Sequence, residues 1–228
     1  RVASYRKGED LTIDPEAFIR FINDEKARMV IFSNPCNPTG QGLSREQVRK
    51  ILRSTDALVV LDEAYMDFWD QSLLSEVSEY DNLLILRTCS KALGMASIRL
   101  GFAVANPTLT RALWAVKSPY NISSFTQALG GAVLREKEWA GKALSYILES
   151  RDELYASLKQ LEKQNPEKLQ CFSTCTNFVF LKVPEGKRIF EALLQKGIAI
   201  RFMGEYLRIS AGSKEENKQF LQAFQDVL

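Results

Sequence analysis

The chain has 228 residues, 46% of them hydrophobic and 25% charged, a composition that supports a sizeable core and excludes global disorder. Thirty basic side chains against 28 acidic ones leave a net charge of +2, which gives no reason to expect a nucleic-acid or membrane-surface partner. Histidine is absent, which excludes a Ser-His-Asp triad, a Cys-His dyad and any histidine-containing zinc site, and leaves base chemistry to Lys, Asp, Glu, Tyr or Cys.

Short apolar runs alternate with helical patterns along the chain, the signature of a parallel α/β sheet. An amphipathic helix is expected near Pro15–Asn23, and a buried strand over Ala27–Ser33. Leu43–Arg53 follows as a helix opened by Ser44, with Gln47 three residues on completing a capping box. Further strands are expected at Ala57–Leu61, Leu83–Arg87 and Leu100–Ala105, the last ended by Asn106-Pro107. From Ser124 to Gln164 the pattern is helical, with Gly130, Gly131 and Gly141 as its weak points, until Asn165-Pro166 stops it. The remainder reads as strand Cys171–Val183, helix Lys187–Lys196, strands Ile198–Phe202 and Tyr206–Ser210, and a final helix Lys214–Val227. Trp69, Trp114 and Trp139 are expected to pack in the interior, and Arg151, Arg188 and the charges from Glu136 to Lys163 to cover solvated helix faces.

No apolar run reaches the roughly 18–20 residues of a membrane helix. Cys36, Cys89, Cys171 and Cys175 include no CxxC pair, so neither a metal site nor a disulfide framework is expected, and reduced thiols point to the cytoplasm. Arg1 leads straight into what reads as the interior of a domain, so a piece of a longer protein is expected. Gly40 and Gly42 lack the third glycine of a dinucleotide fingerprint, and Thr88-x-x-Lys91 lacks the serine of the Ser-x-x-Lys enzymes.

Three strands run directly into polar clusters: Asn34-Pro-Cys-Asn-Pro-Thr-Gly40, Asp62-Glu-Ala-Tyr65 and Thr88-Cys-Ser-Lys91. Ligands of open α/β sheets gather at the carboxyl ends of strands, so one shared site is the simplest reading. A lysine at a strand end is most often a solvated surface group. Lys91 follows an apolar strand, where partial desolvation would favour the neutral amine that Schiff-base chemistry requires. Asp62 could pair with a cationic ring nitrogen, Tyr65 and Asn37 offer a phenol and an amide, and Arg99 with the Thr88 and Ser90 hydroxyls could hold a phosphate. An aldehyde-bearing pyridine with a phosphate arm would use each of these groups.

The motifs NPCNPTG, LDEAYMDF and RTCSKALGMASIRLGFAVAN, followed by SPYNISS and the terminal YLRISAG, resemble the fold-type I pyridoxal-phosphate aminotransferases, nearest the histidinol-phosphate aminotransferase branch. The resemblance implies an aspartate aminotransferase-like α/β fold. Residues 1–123 would be part of the large, mostly parallel cofactor-binding domain, 124–165 a connecting helical segment and 166–228 a small C-terminal α/β domain. It implies pyridoxal 5'-phosphate as cofactor, with Lys91 as the Schiff-base lysine and proton shuttle and Asp62 as partner of the pyridine nitrogen. Tyr65 and Asn37 would bind the phenolic oxygen, and Thr88, Ser90 and Arg99 the phosphate. Arg208 would clamp the substrate anion, Arg201 would be a second phosphate contact, and Asn177 would lie on the substrate side. The implied substrates are small amino and keto acids or phosphate-bearing amines, foremost L-histidinol phosphate with 2-oxoglutarate, in a homodimeric full-length protein. Threonine-phosphate decarboxylase and aromatic aminotransferase share these motifs, and a non-catalytic interaction or regulatory domain retaining the fold is the reading from another class. Relative to the resembling family, the N-terminal phosphate-binding glycine turn, the aromatic residue that stacks on the ring and the partner-subunit tyrosine have no counterpart in this sequence. An unpaired sheet edge is expected as a result.

Overall fold

The structure is a computed structural model that describes residues 1–228. The chain divides into two compact units, one of residues 1–36 and 42–141, the other of residues 37–41 and 142–228. No helix is long and apolar enough to cross a membrane.

In the first unit, helix α1 (Pro15–Asp24) starts where Asp14 accepts a hydrogen bond from the Ala17 N–H, with Pro15 in the first turn. Proline is tolerated there because its missing N–H has no intrahelical partner to lose. Strand β1 (Met29–Ser33) leads through the Asn34–Gly42 loop to α2 (Arg45–Arg53), whose Ser44–Gln47 capping box is formed as the sequence predicts. Strands β2 (Leu58–Asp62), β3 (Leu83–Thr88) and β4 (Gly101–Ala105) complete a sheet in the order β1-β2-β3-β4. One face packs on α1 and α2 through Phe18, Ile22, Val48, Ile51, Leu61 and Ile85.

The first three strands are parallel, but β4 runs antiparallel to β3. The cause lies in the connection: a parallel return needs a crossover of a dozen or more residues, usually a helix. Between Thr88 and Gly101 there is only a short 3-10 turn at Ala96–Ile98, so the chain folds back beside the strand it has just left. Asn106-Pro107 ends β4 as expected and also starts a helix absent from the sequence reading, α3 (Pro107–Val116), with Asn106 accepting from the Thr108 and Leu109 N–H groups. Strand β1 is an open edge on which Ile31 is 65% exposed.

The helical stretch is two helices, α4 (Ser124–Arg135) and α5 (Lys137–Gln164), and the break falls at Glu136 rather than at a glycine. Gly130 is buried inside α4 because a Cβ there would lie 2.3 Å from Leu100 Cδ2, so this glycine permits close packing rather than a break.

In the second unit, β5 (Gln170–Cys171), β6 (Phe178–Lys182), β8 (Tyr206–Ser210) and β7 (Arg201–Met203) form an antiparallel sheet in that order. Helices α5, α6 (Gly186–Gln195) and α7 (Lys214–Val227) cover one face, burying Leu158, Leu193 and Phe224 on Val179, Leu181 and Leu207. The single strand expected over Cys171–Val183 is split, because the Thr174 and Thr176 hydroxyls bond the Phe178 carbonyl and draw residues 173–177 out of the ladder.

Two surface expectations are corrected. Arg151 is 8% exposed, and its guanidinium donates to the Thr176 carbonyl at 2.6 Å. Trp114 and Trp139 are exposed rather than packed, since α3 buries no residue and the start of α5 carries its indole outward. Arg188 is solvated, as read, and pairs with Glu185.

Candidate active site

In the first unit, β2 and β3 run side by side with Asp62 opposite Leu86, so the segments that follow them emerge at the same end of the sheet. Side chains alternate between faces along a strand. Val59 and Leu61 enter the core with α2, which sends Asp62 to the opposite face. Half-buried, its Oδ1 accepts the Ala64 N–H at 3.0 Å, which tightens the turn after the strand. That turn runs into a 3-10 segment at Met66–Phe68 and buries Tyr65, whose ring lies near Phe68.

Beyond β3, the Thr88 hydroxyl accepts the Ser90 N–H at 3.1 Å and lies 3.5 Å from the Leu100 carbonyl. The loop is closed further by the Cys89 N–H on Leu100 and the Met95 N–H on Cys89. Cys89 fills the buried position, while Lys91 stands exposed with its ammonium 5.3 Å from the centre of the Tyr65 ring. The expected desolvation of Lys91 is therefore not met, because the strand ends at Thr88 and the turn carries the lysine past the core. Arg99 is exposed, adopts φ 54° and donates to the Ala96 carbonyl at 3.0 Å.

In the second unit, Arg208 on β8 faces Phe180 on β6 and Arg201 on β7. Its guanidinium lies 4.9 Å over the Phe178 ring and donates to Asn37 Oδ1 at 2.6 Å, while its Nε is buried without a hydrogen-bond partner. Arg201, its partner in the ladder, is exposed, and like charges directly opposite in a ladder repel. Asn177 is half-buried, and its backbone carbonyl accepts the Ala211 N–H at 2.9 Å.

Sequence reasoning missed the groups under the Asp62–Tyr65 turn. Glu63 is 0% exposed and accepts from Ser72 Oγ at 2.6 Å and from Arg87 Nη1 at 3.0 Å. Arg87 also pairs with Asp67. Burial pushes the Glu63 carboxyl above its ordinary value of 4.5, against the opposing pull of Ser72 and Arg87. The available signal was an Asp-Glu pair at one strand end and an arginine just before the polar cluster of the next.

The chemistry of the donor set in the first unit fits pyridoxal phosphate: a primary amine stands beside an aromatic phenol, and a half-buried carboxylate ends the neighbouring strand.

The model of the family "Aminotransferase class I and II" matches residues 1–224. The histidinol-phosphate aminotransferase of Clostridium kluyveri is 37% identical over 229 residues, covering 98% of this chain and 64% of that relative. The crystal structure of histidinol-phosphate aminotransferase from Clostridium acetobutylicum superposes with a TM-score of 0.87 at 26% identity, over 96% of this chain and 69% of that one. The fold also matches the Sinorhizobium meliloti histidinol-phosphate aminotransferase in complex with pyridoxal-5'-phosphate, with a TM-score of 0.87 at 24% identity, over 100% of this chain and 64% of that one. The fold is thus the one that the motifs implied, and the chain spans a little under two thirds of its curated relative. By its sequence over residues 1–224, this chain belongs to the class I and II aminotransferases.

Proposed function

We propose that this chain carries the covalent and electronic part of a pyridoxal-phosphate aminotransferase that exchanges an amino group between L-histidinol phosphate and 2-oxoglutarate, a step of histidine biosynthesis. The observation that carries the reading is the Lys91 amine held 5.3 Å from the buried Tyr65 ring, in the loop that follows the strand next to the one that ends in Asp62. When bound, the cofactor supplies an electron sink for the carbanion left by loss of the substrate's α proton. Lys91 would attach it and, once released, take that proton and return it, a role worth about 10²–10⁴-fold in rate. Asp62 would keep the pyridine nitrogen protonated, Tyr65 and Asn37 would bind the phenolic oxygen, and Thr88, Ser90 and Arg99 would hold the phosphate. Arg208 would clamp the substrate anion with Arg201 beside it, and Asn177 would lie at the substrate's edge. In the same reading residues 1–123 belong to the large domain, 124–165 connect and 166–228 form the small one. The full-length protein is cytoplasmic and homodimeric.

The test is to add pyridoxal phosphate, reduce with borohydride and map the modified peptide by mass. A single adduct on Lys91, abolished in Lys91→Ala, is expected; scattered labelling of surface lysines refutes the assignment. Amino transfer from histidinol phosphate in preference to phenylalanine, without release of carbon dioxide, distinguishes this reaction from aromatic transamination and from decarboxylation.

A further inference from the structure

The alternation that sends Asp62 to one face of the first sheet sends Glu63 to the other, because the Glu63 N–H continues the ladder by bonding the Leu86 carbonyl at 2.9 Å. On that face lies Arg87, the residue immediately before Thr88. Its guanidinium takes the Glu63 carboxylate through Nη1 and the Asp67 carboxylate through Nη2. Ser72 adds a hydroxyl donor to the same Glu63 oxygen. Glu63 directly follows Asp62, and Asp67 lies two residues beyond Tyr65. One planar fork thus grips both ends of the turn that presents Asp62 and Tyr65, from a backbone position four residues before Lys91. A lysine can bridge two carboxylates, as Lys214 does with Glu149 and Glu153, but its single rotatable ammonium does not fix their relative orientation as the rigid planar fork of an arginine does.

We propose that Arg87 is a positioning residue, a clamp that fixes the Asp62–Tyr65 turn against the Thr88–Lys91 loop and so sets where the carboxylate and phenol stand relative to the amine. The proposal rests on the functional reading above only for what the three groups do; the clamp itself is a property of the fold. It follows that Arg87 acts without touching a ligand, and that its loss loosens two loops together while the rest of the sheet stays closed. Buried Glu63 would also lose its counter-charge, and burying a carboxylate alone is costly. A simple Arg87 variant can therefore fail for reasons of folding, which a second variant must separate.

The experiment compares wild type, Arg87→Met and the double variant Glu63→Gln/Arg87→Met by amide hydrogen exchange and by pyridoxal-phosphate labelling with borohydride. The double variant removes the buried charge along with its partner and so restores folding without restoring the fork. In both variants exchange over residues 64–67 and 89–91 is expected to rise about tenfold or more, with strands β1 and β2 unchanged. The labelling rate at Lys91 is expected to fall on the order of tenfold, as it does when reacting groups are displaced by a fraction of an ångström to an ångström. Wild-type exchange in the double variant would overturn the proposal and reduce Arg87 to charge compensation, as would faster exchange spread evenly over the whole unit. If wild type takes no adduct on Lys91, the functional reading fails, while the exchange data still decide the clamp.

Discussion

Asn34 ties the loop that carries Asn37, and its loss should be costly for a reason that can be counted. It is 1% exposed, donates through Nδ2 to the Leu43 carbonyl at 2.9 Å and accepts the Leu43 N–H on Oδ1 at 2.6 Å. This pair closes the loop nine residues later, just before the Ser44 cap of α2. The side chain is locked in place by its neighbours, since a Cβ on Gly42 would lie 2.8 Å from Asn34 Oδ1 and 2.4 Å from Trp69 Cζ3. Asn34→Ala leaves a buried N–H and a buried carbonyl unpaired, each costing about 1–3 kcal/mol, so a loss of about 2–6 kcal/mol is expected. Asn82 is the control: its amide nitrogen is shared among the carbonyls of Leu52, Thr55 and Ala57 from a half-buried site, and Asn82→Ala should cost about 0.5–1.5 kcal/mol. Urea unfolding followed by circular dichroism, with Trp69 fluorescence as the local probe, measures both. If Asn34→Ala is no more destabilising than Asn82→Ala, the two-point closure does not hold the loop.

Three further outcomes follow from burial and charge. Burial pushes the Cys171 thiol up to about 12 and raises the Cys89 thiol, with Asp67 adding to the rise there. Alkylation at pH 8 should therefore modify half-buried Cys36 and Cys175 first, and prior labelling of Cys171 in peptide mass maps would contradict this. The Glu63 carboxyl is raised above 4.5, so the folded state keeps its proton to higher pH than the unfolded chain does. Its contribution is complete below 4.5 and declines as pH rises through the folded value, so Glu63→Gln should flatten this decline in urea midpoints between pH 4 and 8. Identical pH slopes in the two proteins would refute the assignment. Leu158→Ala, in the core beneath α5, should cost about 2–5 kcal/mol in the same assay, and a cost under 1 kcal/mol would mean that the core there can collapse.

What could be read in the sequence was whatever depends on near neighbours. The Ser44–Gln47 box, the alternating Tyr206–Ser210 strand and the amphipathic Lys214–Val227 helix have the expected bounds or cap because periods and caps are written within a few residues. The misses depend on distant partners. Gly130 looked like a weak point until Leu100 occupied the space that a side chain would need. Arg151 looked solvated until the Thr176 carbonyl, 25 residues on, took its guanidinium. The direction of β4 was legible in principle, since no helical pattern lies between Thr88 and Leu100 to carry a parallel crossover.

The candidate site divides in the same way. Asp62, Tyr65 and Lys91 follow strands as polar interruptions, and a strand end is visible from composition alone. Which face each residue takes is also local, since neighbours on a strand must point apart. What no local pattern supplies is the offset between β2 and β3, with Asp62 opposite Leu86, and that offset decides that Arg87 meets Glu63 rather than solvent. The two adjacent pairs Asp62-Glu63 and Arg87-Thr88 thereby separate into two layers. Asp62 and Thr88 face away from the helix-covered core. Glu63 and Arg87 face into the molecule, where a full charge is tolerated only because it is paired. A sheet that exposes reactive groups on one face must hold their backbones from the other. In this chain ions add to the holding done by the buried Met66 and Phe68, because the carboxylates of Glu63 and Asp67 flank the turn and both pair with Arg87.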